Sequence, residues 1–285
     1  MISHDFQFFA PRRLDEALKL LTEHRSDVRA LGGGMTLVPI MTLGLAQPAV
    51  VVSLNHIDEL SYIRETTGAL QIGGTTRHAM IQRDPLVEKY CPLLAKAASF
   101  IGDTQVRHRG TIGGSLAHAD PAADYPPVML ASHARIRVAS AAGERVIAAP
   151  DFFIGLLETA LEPGEIIVEV VIPMISQGAG WSYQRLHRIE GSFSIVNAAA
   201  VIELGFRSAQ LALGGVADSA LLLDLSSLVK RGADDAALDA VGELAYGAAE
   251  NAPSDLGGDT SYRRAMARVF ARRTVKAAAE SMKPS

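Results

Sequence analysis

Cysteine is nearly missing: Cys91 is the one thiol in 285 residues. A lone thiol closes no internal disulfide, and it cannot hold an iron–sulfur cluster, which takes about four thiolates. Redox chemistry in this chain therefore requires an organic cofactor, with any metal cluster on another chain. Long apolar runs are missing too, and none reaches the roughly 18–20 residues of a membrane span. The opening Met1-Ile2-Ser3-His4-Asp5 has no basic or apolar stretch, so no secretion signal is expected and the expected setting is cytoplasmic. Basic residues are not in excess, and a net charge of −4 argues against a general nucleic-acid binder. No Gly-x-Ser-x-Gly elbow marks a hydrolase. His108 and His118 lack metal-ligand spacing, so no metal site is expected.

What is present is apolar and glycine-rich. A hydrophobic content of 48% suffices for a packed core, and the length suits two domains. Two glycine turns dominate: Leu31-Gly32-Gly33-Gly34-Met35-Thr36-Leu37 and Gly110-Thr111-Ile112-Gly113-Gly114-Ser115-Leu116. Glycine permits positive φ and close backbone approach to a ligand. Consecutive amides in such a turn form an anion-binding concavity. Two of them suggest a dinucleotide, whose diphosphate and polar body need both. Neither turn is a P-loop, because no Lys-Ser or Lys-Thr closes it, and neither fits the Rossmann fingerprint.

Along the chain, residues 6–9 read as a strand, and Leu14, Ala17, Leu18 and Leu21 recur at helical spacing over 13–24. Strands follow at 28–31, 50–54 and 69–73, and helices at 80–84 and 93–100. Residues 136–140 pair with 144–147 across Ala141-Ala142-Gly143, and 166–172 is a strand closed by Pro173. Gln177-Gly178-Ala179-Gly180 has linker composition. Three antiparallel strands are expected beyond it, at 181–186, 195–204 and 209–216. Two Ala-rich helices then cover 235–250 and 260–280. Strands followed by helices give an α+β class.

The second turn leads into Ala117-His118-Ala119-Asp120-Pro121-Ala122-Ala123-Asp124. Carboxylates this close to an anion site repel phosphate unless they accept hydrogen bonds from ribityl or ribose hydroxyls. Asp120-Pro121 also reads as a turn initiator, and Asp124 as a helix cap. Thr36 and Thr111 offer hydroxyl donors. Arg107 and Arg109 either screen the diphosphate or are surface charges. Cys91, ahead of Pro92-Leu93-Leu94, reads as a small core hydrophobe.

The two turns, in this order and spacing, resemble the FAD-binding medium subunits of the molybdenum hydroxylases, of the carbon monoxide dehydrogenase type and related to the flavin domain of xanthine dehydrogenase. Val106 to Asp124 matches the family's second motif nearly without change. Gly32 to Thr36 stands where the family has Ala-Gly-Gly-(His/Gln)-Ser. Leu213-Gly214-Gly215-Val216-Ala217 and Tyr262-Arg263-Arg264 resemble its C-terminal domain. The resemblance implies an FAD-binding domain of the PCMH type over 1–175, with subdomains at about 1–57 and 58–175. A C-terminal domain over 176–285 carries a three-stranded antiparallel sheet and helices. It implies that Gly32, Gly33, Gly34, Met35, Thr36, Leu37, Thr111, Ile112, Gly113, Gly114 and Ser115 hold FAD's diphosphate side. It implies that Asp124, with Asp120 nearby, meets the polyol, and that Ile101, Ile167 and Phe193 lie by the ring.

Met35 departs from the family's polar residue, and Gly44 stands where many relatives have Arg. Both bear on the tightness of FAD binding. The implied assembly is a dimer of heterotrimers. Its large subunit carries molybdopterin and hydroxylates the substrate, its small subunit carries [2Fe–2S] clusters, and FAD in this chain relays electrons. No catalytic residue is expected here. Two rival readings are a self-contained reductase resembling UDP-N-acetylmuramate dehydrogenase, whose Gly-Gly-Gly-Ser-Asn turn is similar to Gly32–Thr36, and a flavin-free scaffold.

Overall fold

The computed structural model describes residue 2, residues 4–24 and residues 27–282. Met1 and Ser3 of the opening segment and the last three residues lie outside the described residues. The first unit is a β-α-β arrangement: β1 (Gln7–Phe9), α1 (Leu14–Glu23), β2 (Val28–Leu31), α2 (Leu37–Thr42) and β3 (Val50–Ser53). Its sheet is parallel, in the order β1-β3-β2. The central β3 is buried throughout, which is why it reads as an unbroken Val50-Val51-Val52 run. The helix α1 closes this sheet with Ala17, Leu18 and Leu21, the residues whose spacing marks its apolar face.

The second unit opens with β4 (Ile63–Thr66) and β5 (Ala69–Gly73). A run of short helices follows: α3 (His78–Arg83), α4 (Pro85–Tyr90), α5 (Pro92–Phe100), α6 (Thr104–Arg109), α7 (Ile112–His118) and α8 (Tyr125–Ala131). Then come β6 (Arg135–Ser140), β7 (Gly143–Ala148), α9 (Ala149–Phe152), β8 (Phe153–Gly155), β9 (Glu158–Thr159) and β10 (Ile166–Pro173). The antiparallel order β4-β5-β10-β6-β7 places β10 at the centre, and β8 pairs with β9 as a separate ribbon. Pro85 and Pro92 each sit at the first turn of a helix, where a missing N–H is harmless. Asp84 and Asp103 cap α4 and α6 through their carboxylates.

The C-terminal unit differs from expectation by one strand. The three expected strands are β11 (Gly180–Leu186), β12 (Val196–Ile202) and β13 (Ala209–Gly214). A fourth, β14 (Leu221–Asp224), pairs with β13 at the sheet edge. It is short and flanked by turns, so periodicity over four residues does not separate it from a loop. Two helices cover this sheet, α10 (Asp235–Ala248) and α11 (Thr260–Ser281). The buried Arg263 of α11 donates to the Gly215 carbonyl at 2.8 Å and pairs with Asp255 at 2.7 Å. The two C-terminal motifs therefore meet in one contact. Among the described residues no helix is long and apolar enough to cross a membrane.

Candidate functional site

A cavity of about 590 Å³ lies where the three units meet. Its walls are the turn after β2, the start of α7 and the loop between β11 and β12. Gly32 to Leu37 all line it, as do Ile101, Thr111, Gly114, Ser115, Asp124 and Phe193. These are twelve of the residues that the sequence singles out. Ile112, Gly113, Asp120 and Ile167 are not on its wall.

The first turn owes its glycines to close packing as much as to any ligand. A Cβ on Gly32 would stand 2.8 Å from Thr111 Oγ1. A Cβ on Gly33 would collide with the Arg109 carbonyl and lie 2.6 Å from Gly110 Cα. Only Gly34 needs its freedom of φ, which is +77°. The two glycine segments therefore lie directly on one another. None of the backbone N–H groups from Gly32 to Leu37 has an acceptor among the described residues. A run of unengaged amides on a cavity wall is an anion-binding concavity.

The second motif corrects the expectation. It is the start of a helix, not a loop with free amides. Thr111 caps α7, its Oγ1 accepting from the Gly114 N–H at 3.1 Å. The Ile112 N–H donates to Thr76 O at 3.1 Å, Gly113 N–H to Gly74 O at 2.9 Å and Ser115 N–H to Thr111 O at 3.0 Å. Gly113 is glycine because a Cβ would stand 2.5 Å from Gly74 O. Ile112 is wholly buried in the core. What this motif offers the cavity is the Thr111 hydroxyl proton, the Ser115 side chain and the open surface of Gly114.

Both aspartates are engaged within the protein. Asp120 Oδ1 accepts from the Ala122 N–H at 2.8 Å, the turn-initiator role. Asp124 makes no cap hydrogen bond. It is buried, and its Oδ1 accepts from the Tyr183 hydroxyl at 2.5 Å and from Arg185 Nη1 at 3.2 Å. Burial pushes its carboxyl above the ordinary range, an effect that Arg185 and Tyr183 oppose. Nearby, Asn197 Nδ2 donates to Ala123 O at 3.1 Å and the Gly215 N–H to Pro121 O at 2.8 Å. The Asp120–Asp124 segment is thus a joint between the second unit and the C-terminal sheet. Its Asp-Pro-Ala-Ala-Asp pattern carries no signal that separates this role from ligand binding.

Ile101 and Phe193 are apolar walls, Phe193 being more than half exposed. Ile167 instead lies buried in β10. Arg107 is held by the protein: its Nη1 donates to Ile101 O at 3.1 Å and Gly102 O at 2.9 Å, fixing that turn. The sequence reading missed His78, a buried ring on the cavity wall whose Nδ1 lies 3.0 Å from the Tyr125 hydroxyl. Burial, with Arg77 and Arg107 nearby, pushes its pKa down to about 3. One histidine at the start of a six-residue helix leaves no pattern to detect.

A family described as FAD binding domain in molybdopterin dehydrogenase matches residues 4–175, and CO dehydrogenase flavoprotein C-terminal domain matches residues 181–278. The chain belongs to the FAD-binding medium subunits of the molybdenum hydroxylases. It is 37% identical over 283 residues to the carbon monoxide dehydrogenase medium chain of Hydrogenophaga pseudoflava, covering 98% of each chain. It is 33% identical to the nicotine 6-hydroxylase medium subunit of Paenarthrobacter nicotinovorans, covering 94% of this chain and 95% of that one. A solved structure of carbon monoxide dehydrogenase from Hydrogenophaga pseudoflava, lacking the Mo-pyranopterin moiety, superposes with a TM-score of 0.93 at 35% identity, over 99% of this chain and 100% of that chain. Members of this family are oxidoreductase subunits, and this chain carries their FAD-binding domain. The cavity suits FAD in its size, its unengaged amides and its apolar far wall.

Proposed function

We propose that this chain is the electron-relay subunit of a molybdenum hydroxylase complex, with FAD held non-covalently in the cavity. The observation that carries the reading is the run of unengaged amides from Gly32 to Leu37 on the cavity wall. Each N–H donated to a charged phosphate oxygen contributes roughly 1.5–3 kcal/mol. Bound FAD supplies a group that accepts and releases electrons singly or in pairs. The chain's own residues bind and position it. The amides face the diphosphate, Thr111 adds a hydroxyl donor, and Ile101 and Phe193 keep water from the apolar end.

No side chain here is assigned to substrate chemistry. Among the described residues, no group of three or more His, Cys, Asp or Glu side chains is placed to hold a metal ion. Cys91 is fully buried, and burial pushes its thiol up to about 12, which makes it inert. The partners in this reading are a large molybdopterin subunit and a small [2Fe–2S] subunit, in a cytoplasmic dimer of heterotrimers. The match of residues 181–278 supports this relay over a self-contained reductase.

Co-expression with the two partner subunits tests the proposal. A stable complex should form with flavin and iron–sulfur absorbance. Its substrate, added anaerobically, should bleach both chromophores. Substrate-driven bleaching of FAD in this chain alone would make it an autonomous dehydrogenase and overturn the relay.

A further inference from the structure

We infer that His78 is a further binding residue for the cofactor, donating one hydrogen bond from its Nε2–H to the FAD held in the cavity. This rests on the reading of the cavity given above. His78 opens α3, and its backbone N–H donates to Gly110 O at 3.1 Å, which fixes the ring beneath the second glycine motif. The ring packs edge-on to Tyr125, with centroids 5.3 Å apart.

The tautomer follows from Tyr125. That side chain is fully buried, and its hydroxyl has one partner among the described residues, His78 Nδ1 at 3.0 Å. A buried hydroxyl proton requires an acceptor. Tyr125 therefore donates, Nδ1 accepts, and the neutral ring carries its proton on Nε2. A second proton is excluded near neutrality by burial and by Arg77 and Arg107.

Nε2 itself has no hydrogen-bond partner among the described residues. It lies against Gly110, where a Cβ would stand 2.5 Å from Nε2 and 2.6 Å from Cδ2. Gly110 packs on this edge of the ring and a side chain there would overlap it, while Nε2 itself is not among the fully buried atoms that lack a partner. The result is a donor with a fixed tautomer and no protein acceptor, in the wall of a cavity shaped for a dinucleotide. Its ligand is an oxygen acceptor on FAD; a diphosphate oxygen and a ring carbonyl oxygen share that chemistry.

Titration calorimetry of the full-length apo-protein with FAD tests the inference. His78→Phe keeps the ring's bulk and removes the donor, and it should weaken FAD about three- to tenfold. His78→Gln restores an N–H and should recover most of that loss. ADP-ribose and riboflavin as separate probes locate the acceptor: the one weakened by His78→Phe carries it. An unchanged FAD affinity in folded His78→Phe would overturn the inference while leaving the cavity reading intact. If His78→Phe does not fold, histidine-¹⁵N spectra of the wild type decide. An Nε2–H signal that moves when FAD is added supports the bond, and an Nδ1–H tautomer or an unmoved signal overturns it. A wild type that takes up no FAD overturns the cavity reading and this inference together.

Discussion

Gly33 lies flat against the backbone of Gly110, with no room between them for a side chain: a Cβ on Gly33 would come within 2.6 Å of Gly110 Cα and collide with the Arg109 carbonyl. This contact brings the first and second glycine segments together and forms one edge of the cavity.

Gly33→Ala should therefore separate the two segments. Overpacking of this kind costs typically about 1–3 kcal/mol. Because the displaced atoms are backbone, the loss should appear in flavin content as well as in stability. Gly247→Ala is the control: it lies in α10, nothing stands within 4 Å of its built Cβ, and its φ is not positive. That substitution should be neutral or stabilising by up to about 1 kcal/mol. Thermal melts and flavin per chain check both. A Gly33→Ala protein with normal flavin would show that the contact is dispensable.

Asp124→Ala should act on stability first. Asp124 and Arg185 form a buried pair, with side chains 6% and 2% exposed. Removing one partner leaves an uncompensated buried charge, which costs about 3–5 kcal/mol. Arg185 Nη2 also donates to the Ser192 carbonyl, in the loop that carries Phe193 to the cavity. The expected result is a lower denaturation midpoint than the wild type's, both without FAD and with it added. A mutant of unchanged stability that binds FAD more weakly would restore the polyol role.

The contrast between these positions shows what the sequence carries. The β-α-β unit was legible because α1 has one apolar face and β3 is an unbroken Val run. The first turn was legible as a tight, side-chain-free turn from its three successive glycines, but not its packing of Gly32 and Gly33 against Thr111 and the 109–110 backbone. The second motif was legible as a motif but not as a conformation. Thr111 caps a helix that runs through Gly113 and Gly114, against their low propensity, because only glycine fits beside Gly74. The partners of Asp124 lie on β11, about sixty residues onward, and no local pattern announces them. β14 was missed because a four-residue edge strand has too short a period to read.

His78 should set part of the acid sensitivity. Its folded pKa is about 3 against an ordinary value of 6.5, with burial the main cause. Between these values the unfolded chain binds more protons, so stability falls as pH falls. From pH 7 to pH 5 the wild type should lose about 2 kcal/mol through this group. His78→Gln removes the titration and should show a correspondingly smaller loss over the same range. Urea melts at the two pH values measure the difference. Parallel losses in both proteins would mean that the folded ring takes up a proton.

FAD should leave the chain on acid precipitation, with all the yellow colour in the supernatant. Attachment would need a nucleophile able to reach the cavity. Cys91 is fully buried, and its thiol, pushed up to about 12, stays protonated. His78 has its Nδ1 occupied by Tyr125 and its ring held in place by packing. Tyr125 is fully buried, and burial holds its hydroxyl well above the ordinary value. His118, the last residue of α7, is the other histidine on the cavity wall. His118→Ala should therefore release the same fraction of flavin as the wild type. Colour retained on wild-type precipitate and lost in His118→Ala would identify a covalent link at that ring and refute the non-covalent reading.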